Sequence, residues 1–91
     1  MSWTLFEEVA FDAGGIGSVD WATYPVLRFD AVPDSVEVHL LDRPGLPFLG
    51  CGECGQGPAG AAIANAIADA IGVRLRDLPL TREKVRAAVG V

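Results

Sequence analysis

One carboxylate and two thiols stand among four glycines in Gly50-Cys51-Gly52-Glu53-Cys54-Gly55-Gln56-Gly57-Pro58. A glutamate in a closed, weakly solvated loop can have its pKa raised toward neutrality, where it works as a base. Two thiols at C-x-x-C spacing have the shape of a metal knuckle, with thiolates and turn N–H groups facing one ion. They also suit a redox pair, with a helix start lowering a thiol pKa. A third use is packing, since a free cysteine fills space as a small apolar side chain. Glycine backbone enters conformations closed to other residues and lets a ligand approach closely. A helix opens directly after the loop, and its unpaired N–H groups and positive dipole end favour anions.

The stretch Gly50 to Gly55 also satisfies G-x-G-x-x-G, and Asp77 ends a strand about 20 residues further on, as in a dinucleotide fingerprint. Its context disagrees. Pro44-Gly45-Leu46-Pro47 separates the motif from the preceding strand, Gln56-Gly57-Pro58 delays the helix, and Glu53 would set a negative charge beside a pyrophosphate. On the metal reading, Cys51 and Cys54 supply two of the four ligands a tetrahedral zinc needs. A dimer or His39 would have to complete the set. His39 is the only histidine, and a single strand histidine is usually solvated or hydrogen-bonded.

Several elements must position this loop. Ser2 to Val9 reads as a short helix with Trp3, Phe6 and Leu5 inward, dependent on tertiary contacts. Val9 to Asp12 alternates like a strand, and Gly14-Gly15 turns it. Ile16 to Phe29 has no clean period and reads as an extended, partly buried loop or irregular strand. Ser35 to Asp42 is the clearest strand, with Val36, Val38 and Leu40 on one face and Glu37, His39 and Leu41 on the other. Arg43 to Pro47 ends it. A helix is expected from about Ala59 to Ile71, with Ile63, Ile67, Ala70 and Ile71 as its apolar stripe, Asn65 and Asp69 opposite, and Gly72 as its left-handed terminator. Val73 to Leu78 reads as a short strand. Thr81 caps a last helix, Arg82 to Ala88, with Glu83 in its first turn and Val85 and Val89 inward. The order predicts one α+β domain over residues 1–91, a small mixed sheet packed by one central helix and a short C-terminal helix.

Composition narrows the function. A chain of 91 residues is one small domain with a thin core. With 51% hydrophobic residues and a mean hydropathy of +0.34, it carries more apolar side chain than such a core hides. The excess is expected at an interface, as in a subunit or fragment. A net charge of −5 argues against nucleic acid, which calls for a basic stripe. The longest apolar stretch, Ile63 to Ile71, is interrupted by Asn65 and Asp69 and is too short to span a bilayer. Glu7 and Glu8 stand where a signal peptide would be basic. Two cysteines are no disulfide scaffold. The expected compartment is the cytoplasm, with no membrane partner.

The whole chain resembles a known family. The carrying residues are Trp3-Thr4-Leu5-Phe6-Glu7-Glu8, Asp20-Trp21-Ala22-Thr23-Tyr24-Pro25-Val26-Leu27-Arg28, Val36-Glu37-Val38-His39-Leu40, Gly50-Cys51-Gly52-Glu53, Gly57-Pro58-Ala59, Ala61 to Ile67, and Gly72 to Thr81. In this order they are similar to the C-terminal end of the molybdopterin-binding large subunit of the molybdenum hydroxylases, of the xanthine dehydrogenase, aldehyde oxidase, isoquinoline 1-oxidoreductase and nicotinate dehydrogenase types. The resemblance implies that Glu53 is the active-site base. In the family this glutamate takes a proton from a molybdenum-bound hydroxide or water, which attacks an electron-poor carbon of a heterocycle or aldehyde. It also implies that Gly52, Gly55 and Gln56 lie at the molybdopterin cofactor. Cys51 and Cys54 depart from the family, which usually has other small or apolar residues there.

The family's large subunit is many times longer, and its other parts supply most pterin contacts and the substrate pocket. Iron–sulfur and flavin groups come from separate domains or subunits. The expectation is a C-terminal fragment of such a subunit, whether a truncated product or an expressed piece. Alone it would be catalytically silent and self-associating. Its partners would be the remainder of the large subunit and an iron–sulfur subunit. The rival is a small C-x-x-C metal- or redox-binding oligomeric module using Cys51 and Cys54.

Overall fold

The computed structural model describes all residues 1–91. In chain order its elements are α1 (Ser2–Leu5), β1 (Phe11–Asp12), β2 (Gly15–Ile16), a single 3₁₀ turn (Phe29–Ala31), α2 (Gln56–Ile71) and α3 (Arg82–Val89). The class is α+β, as expected. Its sheet is one antiparallel hairpin, with Phe11 opposite Ile16 and Asp12 opposite Gly15. Asp12 Oδ1 accepts the Gly14 N–H at 2.7 Å, and Gly15 takes φ +122°, a value L side chains rarely adopt.

α2 starts three residues ahead of the expected Ala59. Gln56-Gly57-Pro58 does not delay it as expected, because Pro58 falls in the first turn, where a missing N–H costs nothing. Ile63, Ala64, Ile67, Ala68 and Ile71 form its half-buried stripe, while Ala70 is exposed. Asn65 and Asp69 face solvent as expected, and Gly72 closes the helix at φ 71°. α3 begins at the predicted cap: Thr81 Oγ1 accepts the Lys84 N–H at 3.3 Å, and Glu83 lies in the first turn. Val85 is half-buried, but Val89 is exposed.

The fully buried residues are Thr4, Pro79 and Leu80. Leu80 donates its N–H to the Thr4 carbonyl at 2.7 Å. A Cβ added to Gly60 on α2 would stand 3.7 Å from Thr4 Oγ1, an ordinary contact, so α2 passes beside α1 at this point. Arg74 reaches back to Asn65 Oδ1 at 2.7 Å. On the other side of α1, Ser2 Oγ accepts the Leu27 N–H at 2.8 Å, and Tyr24 donates its hydroxyl to Glu7 at 2.9 Å. The Ile16–Phe29 stretch is thus an irregular, partly buried loop, as predicted.

Two expected strands are corrected. Ser35 to Asp42 and Val73 to Leu78 have no strand structure. Their alternation suits a sheet, but a strand exists only when a neighbour pairs its N–H and C=O groups. None of this chain's segments does so. The first expected helix likewise ends at Leu5, well short of Val9.

The surface records the same deficit. The chain exposes 7747 Å², where a folded monomer of this mass exposes ~5,000 Å². Its radius of gyration is 17.0 Å, against ~12 Å for a compact domain of this length. No helix is long and apolar enough to cross a membrane.

Candidate functional site

The glycine-rich loop leads straight into α2. Gln56, the first helical residue, donates its N–H to the Glu53 carbonyl at 3.1 Å, and Ala59 donates to the Gly55 carbonyl at 3.0 Å. Pro58 has no N–H, and the Gly57 N–H has no partner in the chain. Such orphan donors are ordinary at a helix start. They mark the polar end of α2, which begins three residues after Glu53 and two after Cys54.

Every residue from Gly50 to Pro58 is exposed. Glu53 lies on the rim of a shallow depression of about 270 Å³ with Met1, Trp3, Gly55, Gln56 and Ala59. The structure therefore brings Glu53, Gly55 and Gln56 together and adds Trp3 from α1. Gly52 and Cys51 stand outside this depression. The closed, desolvated setting expected for the carboxylate is absent: Glu53 is open to water.

The loop glycines correct a second expectation. None of Gly50, Gly52, Gly55 and Gly57 takes a positive φ. A Cβ added to any of them would meet nothing within 4 Å. No constraint inside this chain requires glycine there, so what glycine offers at this loop is close approach from outside.

Cys51 and Cys54 are exposed free thiols whose sulfurs are 3.1 Å apart. Their hydrogen bond raises the Cys51 thiol above its usual value, opposite to the lowering expected of a redox-active pair at a helix start. No third His, Cys, Asp or Glu joins them. His39 lies elsewhere, exposed, 3.5 Å from Glu37. The chain thus offers two ligands where zinc takes four, and the C-x-x-C module is not favoured.

Two features escaped the sequence reading. A second groove, about 400 Å³, lies between α1, α2 and residues 74–80, with Thr4, Gly60, Ala64, Leu75 and Leu80 in its wall. Nothing in a linear pattern pairs a threonine with a glycine 56 positions away. The other was legible. Asp20 Oδ1 accepts the N–H groups of Ala22 and Thr23 at 3.0 and 2.9 Å and the Thr23 hydroxyl at 2.8 Å. Asp followed three residues later by Thr is a local side-chain turn signal. The Thr23 hydroxyl and then the backbone N–H groups hold the Asp20 carboxyl below its ordinary value.

Comparison with known proteins gives this geometry its context. The chain is similar to a nicotinate dehydrogenase subunit of Pseudomonas putida, 46% identical over 86 residues. The match covers 94% of this chain and 7% of that protein. It is similar to the nicotine 6-hydroxylase large subunit of Paenarthrobacter nicotinovorans, 35% identical over 96% of the chain and 12% of that protein. A third relative is the aldehyde oxidoreductase molybdenum-binding subunit PaoC of Escherichia coli, 35% identical over 93% of the chain and 12% of the relative. The chain thus spans about a tenth of the length of these relatives. No family model matches it, and no solved structure does. With these three relatives aligned over more than nine-tenths of its length, the chain belongs, as a short segment, to the large subunits of the molybdenum hydroxylases.

Proposed function

We propose that this chain is the C-terminal part of a molybdenum-cofactor-dependent oxidoreductase that hydroxylates N-heterocycles or aldehydes, and that Glu53 is its active-site base. The observation that carries the proposal is the exposed Glu53 carboxylate beside the start of α2, among glycines open to approach from outside.

The residues fit one edge of a pterin cofactor. Gly52 and Gly55 leave open the space that a Cβ would fill, Gln56 carries an amide, and the Gly57 N–H is unpaired. These groups suit a polar, anionic ligand. When bound, the molybdenum cofactor would supply the oxygen-transfer and two-electron chemistry. This chain's share is narrower. Gly52 and Gly55 would let the cofactor come close, and Gln56 would offer its amide at the cofactor's edge. Glu53 accepts and holds the proton removed during attack on the substrate carbon. α2 holds the end of the loop through the hydrogen bonds of Gln56 to the Glu53 carbonyl and of Ala59 to the Gly55 carbonyl.

A base needs enclosure, because excluding water makes a carboxylate a stronger base. Glu53 lacks enclosure here. The remainder of the large subunit would provide it, and an iron–sulfur subunit would carry electrons away. On this reading the isolated chain is catalytically silent, associates with itself through its exposed apolar surface, and belongs in the cytoplasm. The relatives support the substrate class through their names, a nicotinate dehydrogenase, a nicotine 6-hydroxylase and an aldehyde oxidoreductase.

The test is Glu53→Gln in the large subunit assembled with its partners. Turnover should fall by roughly 10²- to 10⁴-fold, the usual loss of a positioned base, with molybdenum content unchanged. Turnover within a few-fold of wild type at full molybdenum loading would remove Glu53 from the role.

A further inference from the structure

We propose that Cys51 and Cys54 form a reversible dithiol–disulfide pair that clamps the turn carrying Glu53. Its effect on turnover rests on Glu53 being the base; formation of the disulfide does not. Both thiols are exposed, free and in contact at 3.1 Å. Only Gly52 and Glu53 separate them, so closure is a local event with a small entropic cost. Bond formation requires the sulfurs to close by about 1 Å. Gly52 permits that movement, since no atom lies within 4 Å of where its Cβ would be. With no third donor nearby, the juxtaposition suits a two-thiol reaction better than a metal site.

The oxidant is a low-molecular-weight disulfide. One cysteine, as thiolate, attacks a sulfur of the oxidant and expels one small thiolate. The second cysteine, as thiolate, attacks the mixed disulfide and expels the other. One S–S bond breaks and one forms. The two thiol protons end on the two released small thiols, and the protein has lost two electrons to the oxidant. In a reducing compartment such a bond is transient and responsive. The hydrogen bond that raises the Cys51 thiol disfavours its thiolate, so the pair answers accumulated oxidant rather than trace amounts. Closing the ring fixes the backbone on both sides of Glu53, and so governs whether the carboxylate can be presented as the assembled site needs it.

The experiment equilibrates the 91-residue chain with glutathione mixtures of graded ratio, traps it by acid and alkylation, and reads intact mass. The expected species is a monomer lighter by two hydrogens, without a glutathione adduct, and restored by dithiothreitol. Its disulfide-to-dithiol ratio should exceed that of the chain in concentrated urea by about tenfold, since the fold already holds the sulfurs together. Mixed disulfides, intermolecular dimers, or an equal ratio in urea would overturn the pairing. Glu53→Gln should leave the yield unchanged, which separates this result from the fate of the base assignment. In the assembled enzyme, oxidised glutathione should lower turnover reversibly, and Cys51→Ser with Cys54→Ser should abolish that sensitivity. Equal sensitivity in the double variant would overturn the clamp.

Discussion

Two regions of this chain hold similar kinds of residue and treat them in opposite ways. Around Thr4 and Leu80, side chains are 1% and 3% exposed, and a backbone hydrogen bond joins segments from the two ends of the chain. Between Val32 and Leu49 the apolar residues are more numerous but unpartnered. Leu40 is 90% exposed and Phe48 is 97% exposed. One backbone hydrogen bond, from the Leu46 N–H to the Arg43 carbonyl, occurs in that whole stretch. Hydrophobicity does not separate the two regions; the presence of a matching surface does. The first region finds its partner within the chain. The second carries a strand-like pattern and then the candidate base, and finds no matching surface within the chain.

The largest expected effect sharpens this division. Glu53→Gln should abolish most turnover in the assembled enzyme while leaving the circular dichroism of the isolated chain unchanged, because only the Glu53 backbone, and not its side chain, bonds within the fold. Next come paired truncations. Leu80→Ala should destabilise the isolated chain by about 2 kcal/mol in urea unfolding, the low end for a buried leucine in a thin core. Leu40→Ala should change stability by less than ~0.5 kcal/mol, as for an exposed side chain. A loss at Leu40 equal to that at Leu80 would break the comparison. Thr81→Ala should cost about 1 kcal/mol through the lost cap of α3, visible as faster amide exchange over Arg82 to Arg86.

The smallest effect is a pH window on the tie between α1 and Tyr24. Hydrogen bonds from Ser2 and then Tyr24 hold the Glu7 carboxyl below its usual value. Its contribution is therefore complete above the ordinary glutamate range and is lost as pH falls through the lowered value. The hydrogen bond to Glu7 and then desolvation raise the Tyr24 phenol. Its contribution is complete below the ordinary tyrosine value and is lost as pH rises through the raised one. Amide exchange at Leu27 should quicken at both extremes, and Tyr24→Phe should flatten both limbs. An unchanged profile in Tyr24→Phe would assign the protection to another contact.

Local codes were read correctly because they are complete within a few residues. Thr81 with Glu83, Gly72 after the Ile63–Ile67–Ile71 stripe, and the glycines after Asp12 each carry their own hydrogen-bonding solution. Pro58 misled the helix start because proline breaks a helix interior and is harmless in a first turn. Val36-Glu37-Val38-His39-Leu40 misled in another way. Its alternation is a statement about two faces, and a strand also needs a neighbour, which no pattern of its own residues can supply. At the site, the residue types and their order marked Glu53. The accessible glycines and the contact between Cys51 and Cys54 could be read only in three dimensions.

By itself the sequence determined the α+β class, the two longer helices with their caps, the surplus of apolar surface and the molybdenum hydroxylase kinship. The tertiary structure decided where the little core lies, at Thr4, Pro79 and Leu80 beside Gly60, and that the loop around Glu53 stands open. The reason is range. Caps and periodicities act within one or two turns of backbone, whereas burial depends on which distant surface comes to meet a residue. For the segment from Val32 to Pro58 this chain brings no such surface.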